Sequence, residues 1–117
     1  MNKYRDKSDF EINKAAAIEM FGLNRVIEKG DSIYIDECDC GAMFSFDPCN
    51  NPADAMPIVI ENGISLIFDT GCKAWVAGIA YWVDGCEWQI SYEVERMNQY
   101  RAAMELFLLM KDAENEK

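Results

Sequence analysis

From Glu87 to Glu95 polar and apolar residues alternate without a break, with Trp88, Ile90, Tyr92 and Val94 set against Glu87, Gln89, Ser91, Glu93 and Glu95. Period two predicts a strand with one buried and one wet face. The preceding run, Lys73 to Val83, is apolar on both faces: Trp75, Ala77, Ile79 and Tyr81 against Val76, Ala80 and Trp82. Such a strand is either central in a covered sheet or part of an interface. Asp84-Gly85 between the two runs predicts a hairpin.

Helical periods bracket these strands. Ser8-Asp9-Phe10-Glu11 is a capping box; the helix it starts runs to about Phe21 and stops at Gly22. Phe10, Ala17 and Phe21 share its apolar stripe. Near the C-terminus Asn98 caps a second helix, where Tyr100, Ala103, Phe107 and Met110 step by three and four and Leu106 and Leu109 widen the stripe. Between them, Arg25–Ile35 predicts a short hairpin around Gly30-Asp31, and Met43–Phe46 a short strand.

Asn51-Pro52 marks a helix start. Pro57 lies too deep for a first turn and leaves two readings. One is a kinked or two-part helix ending at Gly63, the preferred one; the other is a hairpin turning at Asn62-Gly63. Ile64–Phe68 then forms a strand, and Asp69-Thr70-Gly71 a turn. The sum is an α+β fold, a small antiparallel sheet packed against two or three helices in a single layer. We expect one domain over residues 1–117, with frayed ends at about 1–7 and 112–117.

Composition narrows the function. The chain of 117 residues is 50% hydrophobic and 12% aromatic, enough to form a core, and carries a formal net charge of −10. That charge argues against direct contact with nucleic acid or with an anionic membrane. It is also uneven. Between Gly30 and Glu95 stand twelve acids and one base, Lys73, while acids and bases nearly cancel elsewhere. Period two places Glu87, Glu93 and Glu95 on one strand face. Together with Asp36, Glu37 and Asp39 they are the candidate binding surface, one that imitates nucleic acid or attracts a basic protein. Tyr81 and Trp82 are the candidate interface anchors, provided the second apolar face of their strand is exposed.

Catalytic and cofactor chemistry finds little support. Histidine is absent, which removes the commonest general base and metal ligand. The five cysteines, Cys38, Cys40, Cys49, Cys72 and Cys86, are an odd number and fit free thiols in a reducing compartment. Cys38 and Cys40 are spaced too closely for the usual zinc pair. An EF-hand frame over Asp36–Asp47 puts cysteine where the third and fifth oxygen ligands belong. No glycine-rich phosphate loop is present. We therefore expect neither an enzyme nor a bound metal or cofactor. The alternative is a small metal- or nucleotide-binding protein using the acid and thiol segment 36–49. Met1–Lys7 has no apolar run behind it, and no window is long and apolar enough for a membrane span, so a cytoplasmic location is expected.

One stretch resembles a known family. Phe46-Asp47-Pro48-Cys49-Asn50-Asn51-Pro52-Ala53-Asp54-Ala55-Met56-Pro57-Ile58-Val59-Ile60-Glu61-Asn62-Gly63-Ile64-Ser65-Leu66 is similar to the central motif of the NinX-like proteins of temperate phages. Ser8-Asp9-Phe10-Glu11-Ile12-Asn13 fits the opening of that family, and Arg101-Ala102-Ala103-Met104 with its apolar helix fits the ending. Lys73 to Glu95 is the least recognisable part. The resemblance implies a helix leading into a strand at the central motif, in accord with the helical reading at Pro57. It also implies a small accessory protein encoded near recombination and early regulatory genes, with no established catalytic residues to carry over. The expected setting is the cytoplasm of an infected bacterium. The expected partner is a basic host or phage protein that itself binds nucleic acid. An inhibitor of a CRISPR or restriction effector is one form of this; a recombination-complex accessory is the other. Homodimerisation through the tryptophan-rich strands stays open.

Overall fold

The computed structural model describes residues 2–37 and 41–116. Helix α1 (Asp9–Phe21) leads through a short 3₁₀ turn, Leu23–Arg25, into strands β1 (Val26–Lys29), β2 (Ser32–Asp36) and β3 (Met43–Ser45). Helix α2 (Pro52–Glu61), strands β4 (Ser65–Asp69), β5 (Ala74–Val83) and β6 (Glu87–Arg96), and helix α3 (Gln99–Asn115) complete the chain. The α+β class expected from the sequence is found. The strands divide into two antiparallel three-stranded sheets, β1-β2-β3 and β4-β5-β6.

Helices α1 and α3 lie between these sheets. Helix α1 packs on β2 and on α3, while α3 also packs on β5, β6 and α2. This position explains the burial of α3. Residues Ala102 to Leu108 are all buried, so its apolar stripe widens to the whole circumference, as in a helix enclosed on every side. One hydrophobic cluster runs from Ile33 and Ile35 of β2 through Ile12, Ala16 and Ala17 of α1 to Leu106 and Phe107 of α3. It ends at Ala77 and Val94 of the second sheet.

Most local signals are realised as written. The Ser8 hydroxyl accepts from the Glu11 N–H, and the Ser8 N–H donates to the Glu11 carboxylate, each at 3.2 Å. The α1 stripe is displaced from the expected one. Ile12, Asn13, Ala16 and Ala17 are buried, whereas Phe10 and Phe21 sit at its rim, Phe21 edge-on to Phe46 with centroids 5.3 Å apart. At Pro57 the helical reading is realised and the hairpin is not. Helix α2 is one run from Pro52 to Glu61, capped by the Asn51 side chain accepting from the Ala53 N–H. Gly63 follows at φ +65°, the left-handed conformation that glycine adopts without strain, and lets the Ile64 N–H reach back to the Val59 carbonyl at 3.0 Å.

The unbroken alternation in β6 is where sequence and structure part. Ala77 pairs with Val94 but Ile79 pairs with Ser91, so Tyr92 and Glu93 together face Gly78. This β-bulge puts Tyr92 at φ +57° and reverses the faces beyond it. Val94 turns onto the helices with Ala77, whereas Trp88 and Ile90 lie on the opposite face with Trp82 and Ala80. Gly78 fits beneath that crossing because it has no Cβ. A methyl group there would stand 2.3 Å from Ile90 Cγ1 and 3.0 Å from the Ser91 carbonyl oxygen.

The segment before α1 is bonded to α3. The Tyr4 hydroxyl donates to Asp112 at 2.6 Å, and Asn2 donates to Glu105 at 2.8 Å. Glu105 is wholly buried and also receives the guanidinium groups of Arg96 and Arg101, each at 2.7 Å. Burial and then the neighbouring Asp112 push the Tyr4 phenol well above its ordinary value. Arg101 continues outward to the Asp9 carboxylate and to the carbonyls of Tyr4 and Lys7.

Two substitutions test this account by urea denaturation. Glu105→Ala leaves two guanidinium groups without their buried partner and is expected to cost about 3–5 kcal/mol. Gly78→Ala overpacks the bulge and is expected to cost about 1–3 kcal/mol. An unchanged midpoint in either would contradict the packing described.

Candidate functional site

The expected acidic surface is distributed over two separate places. Asp36 and Glu37 lie at the end of β2 in the first sheet, Asp36 half-buried and Glu37 exposed. Glu87, Glu93 and Glu95 lie on β6, an edge strand of the second sheet, and all three are exposed. Helices α1 and α3 stand between, so these acids do not form one patch. Asp39, like Cys38 and Cys40, lies outside the described residues.

The bulge also divides the β6 acids, correcting the expectation that they share a face. Glu87 is paired with Val83, on the side of the sheet that meets the helices nearer its base; Glu95 is paired with Val76 on the other side. An extra residue in one strand exchanges the faces, and no alternation pattern announces it.

What the acids do share is the absence of internal compensation. Among the described residues, no acid between Gly30 and Glu95 has an ion-pair partner. The ion pairs use Asp9, Glu11, Glu28, Glu105, Asp112 and Glu114. From Ala74 to Glu95 the chain has no basic residue at all. The β5–β6 hairpin beyond the helices is therefore purely anionic and aromatic. Every residue from Tyr81 to Gln89 is exposed. At its end a three-residue loop, Asp84–Cys86, joins Val83 to its partner Glu87.

The candidate anchors are placed on this arm. Tyr81 is 49% exposed and Trp82 is 51% exposed. They point to opposite faces, Tyr81 opposite Gln89 and Trp82 opposite Trp88. The two indoles meet edge to face with centroids 5.4 Å apart, the preferred arrangement of aromatic rings. Trp88 is the most exposed of the group and belongs with the anchors, although the sequence pattern assigned it to a buried face.

A second polar centre gathers around the Asp47–Asn51 segment. Asn13, buried on α1, donates to Asp47 at 2.7 Å and accepts from the Cys49 N–H at 3.0 Å. Asn50 bridges Asp47 and Asp9, and Asn98 donates to the Cys49 carbonyl at 2.8 Å. A cavity of about 330 Å³ opens beside it, lined among others by Asp9, Asp31, Asp47 and Asn50. These bonds fasten the loop before α2 to α1 and α3. The Asn-rich spelling of the segment was the signal available for them.

The Cys49 and Cys72 thiols are both raised. Cys49 is wholly enclosed, and burial, reinforced by Asp9, pushes it far above an ordinary thiol. Cys72 is exposed, and its hydrogen bond to Asp69 and the charges of Asp69 and Glu95 also push it up. Both directions oppose a thiolate nucleophile. Asp69, Cys72 and Glu95 present ligand-type atoms all within 4.8 Å of one another, a grouping outside the segment 36–49 to which the metal-binding alternative pointed. Asp69 itself is lowered by the N–H groups of Gly71 and Cys72. Its contribution to stability is present above the ordinary carboxylate range and is lost as pH falls through the lowered value.

Asp69→Asn is expected to bring the Cys72 thiol down towards an ordinary value. Alkylation of the Cys72 peptide by iodoacetamide at pH 8, followed by mass spectrometry, should then run several-fold faster. An unchanged rate would mean that the carboxylate does not control the thiol.

Comparison with known proteins agrees with the motif around Asp47. No curated protein matches the chain. No solved structure matches it either. Among the described residues no helix is long and apolar enough to cross a membrane. A family model described as "Bacteriophage P22, NinX" matches residues 3–111, taking in the capping box, the Asp47–Asn51 centre, both sheets and most of α3. The chain belongs to the bacteriophage P22 NinX family.

Proposed function

We propose that this chain is a non-enzymatic phage accessory protein that binds a basic host or phage protein. Its acidic middle, above all the β6 edge with Glu87, Glu93 and Glu95, occupies the partner's nucleic-acid-binding groove. The observation that carries this reading is the lack of any ion-pair partner for the described acids between Gly30 and Glu95, beside flanks in which six of nine acids pair internally. Unpaired like charges repel one another, and a basic partner removes that repulsion on binding. The absence of histidine and the raised thiols of Cys49 and Cys72 support a binding role over catalysis.

The partner class we favour is a nucleic-acid-binding effector of host defence, of the CRISPR or restriction kind. Membership of a phage family supports that setting. A component of a phage recombination complex is the alternative, and the same experiment separates the two by identifying the protein captured.

That experiment is an affinity pull-down of the tagged chain from phage-infected host lysate. A basic, nucleic-acid-binding protein should be retained at low salt and released as salt rises, because surface charge pairs are screened. Glu87→Lys, Glu93→Lys and Glu95→Lys together should abolish capture. Undiminished capture by this triple variant would sink the proposal.

A further inference from the structure

Beyond its base, where Ala74 is buried, the face of the second sheet turned away from the helices is left uncovered among the described residues. Cross-strand partners share a face, so the register assigns Ile67 and Val76, Ala80 and Ile90, and Trp82 and Trp88 to this side. Ile67, Trp82 and Trp88 are 48%, 51% and 68% exposed, and the other three are half-buried. None of the six belongs to the hydrophobic cluster or packs against it. The sequence offered two explanations for a strand apolar on both sides, and only the interface explanation is left for β5.

We infer that this face is a homodimer interface, in which two copies of the chain stack sheet on sheet about a two-fold axis. Three observations select a second copy as the occupant. The first is charge. The six side chains are uncharged; the face carries Asp69 and Glu95 at its base, paired with Ala74 and Val76, and Glu93 opposite Gly78 at the bulge. A basic groove laid on it would bury lysine and arginine against apolar groups without partners, a heavy penalty. A second copy brings apolar surface against apolar surface.

The second is the polarity of the face along the strands. Asp69 and Glu95 lie at the base, Glu93 at the bulge, and the tryptophan pair near the tip. Antiparallel stacking therefore sets each copy's Asp69 and Glu95 beyond the other's indoles and keeps the two acidic ends about a strand length apart. That is the self-complementary arrangement a two-fold interface requires. Edge-to-edge growth of the sheet is opposed, because β6 would bring its own Glu87, Glu93 and Glu95 against the same residues of the other copy.

The third is area. Strands β5 and β6 are ten residues each, so the face is roughly 33 Å long; it is roughly 15 Å wide at the base, where the five residues of β4 add a third strand, and roughly 10 Å wide towards the tip. Two copies then bury about 800 Å² in total, the size of a weak, transient interface. A reversible dimer with sheets about 10 Å apart is the expected result. It shares acids of β6 with the proposed docking edge but does not depend on that proposal.

Sedimentation velocity on the full chain tests the dimer. Between about 1 µM and 1 mM the wild type should shift from monomer to dimer, and added salt should preserve or strengthen the dimer, since apolar burial is not screened while like charges are. Trp82→Ser with Trp88→Ser should weaken association at least tenfold with an unchanged far-ultraviolet circular dichroism spectrum. Ile67→Lys, on the other edge strand, should do the same, and it decides the matter if the double variant fails to fold. A wild type that stays monomeric to 1 mM would overturn the inference. So would a folded Ile67→Lys variant that still dimerises as the wild type does.

Discussion

Glu105 is the group on which the rest of the molecule depends. A carboxylate with no exposed surface is tolerated only where cations and hydrogen bonds replace its lost water. Arg96 from the end of β6, Arg101 from one turn earlier on α3 and Asn2 from the N-terminal segment supply them. Each donor comes from a different part of the chain, so the charge holds the second sheet, the last helix and the N-terminus in one geometry. Arg101 extends the hold to Asp9 and the carbonyls before α1. Burial disfavours its charge, but the carboxylates of Glu105 and Asp9 outweigh that and raise its pKa above its ordinary value. The spacing from Arg101 to Glu105, one helical turn, was visible in the sequence; their burial was not.

The bulge at Tyr92 and Glu93 sets the character of the second sheet. Without it, Trp88 and Ile90 would share a face with Val94 and turn towards the helices. With it, Val94 alone completes the core, and the tryptophans are delivered to the uncovered side. A local exchange of faces thus converts residues that read as core into exposed apolar surface. The left-handed backbone at Tyr92 carries a steric cost that only glycine escapes, and the close approach of Ile90 over Gly78 shows what it accommodates.

The two surfaces that this arrangement creates are chemically distinct. One is an edge strand with unpaired carboxylates, suited to a cationic partner. The other is a flat face whose tip, around Trp82 and Trp88, is apolar and uncharged. A single hairpin presents both because β5 is apolar on both sides and only its base is covered by α3. Family membership places the chain among phage proteins; the chemistry of these two surfaces is what its own residues add.

By itself the sequence determined the local elements: the Ser8 capping box, the Asn51-Pro52 and Asn98 helix starts, the helix through Pro57, the two hairpins and the α+β class. Each rests on a contact between residues a few positions apart, which spacing expresses directly. The tertiary structure decided the rest. It split the strands into two sheets, buried Glu105, bonded the N-terminal segment to α3 and separated Asp36 and Glu37 from the acids of β6. It also turned Trp88 outward. These outcomes depend on which elements meet across the molecule and on one extra residue in a ladder. A pattern of hydrophobic and polar positions states how strongly a face favours burial, but not which side of the sheet a helix will occupy.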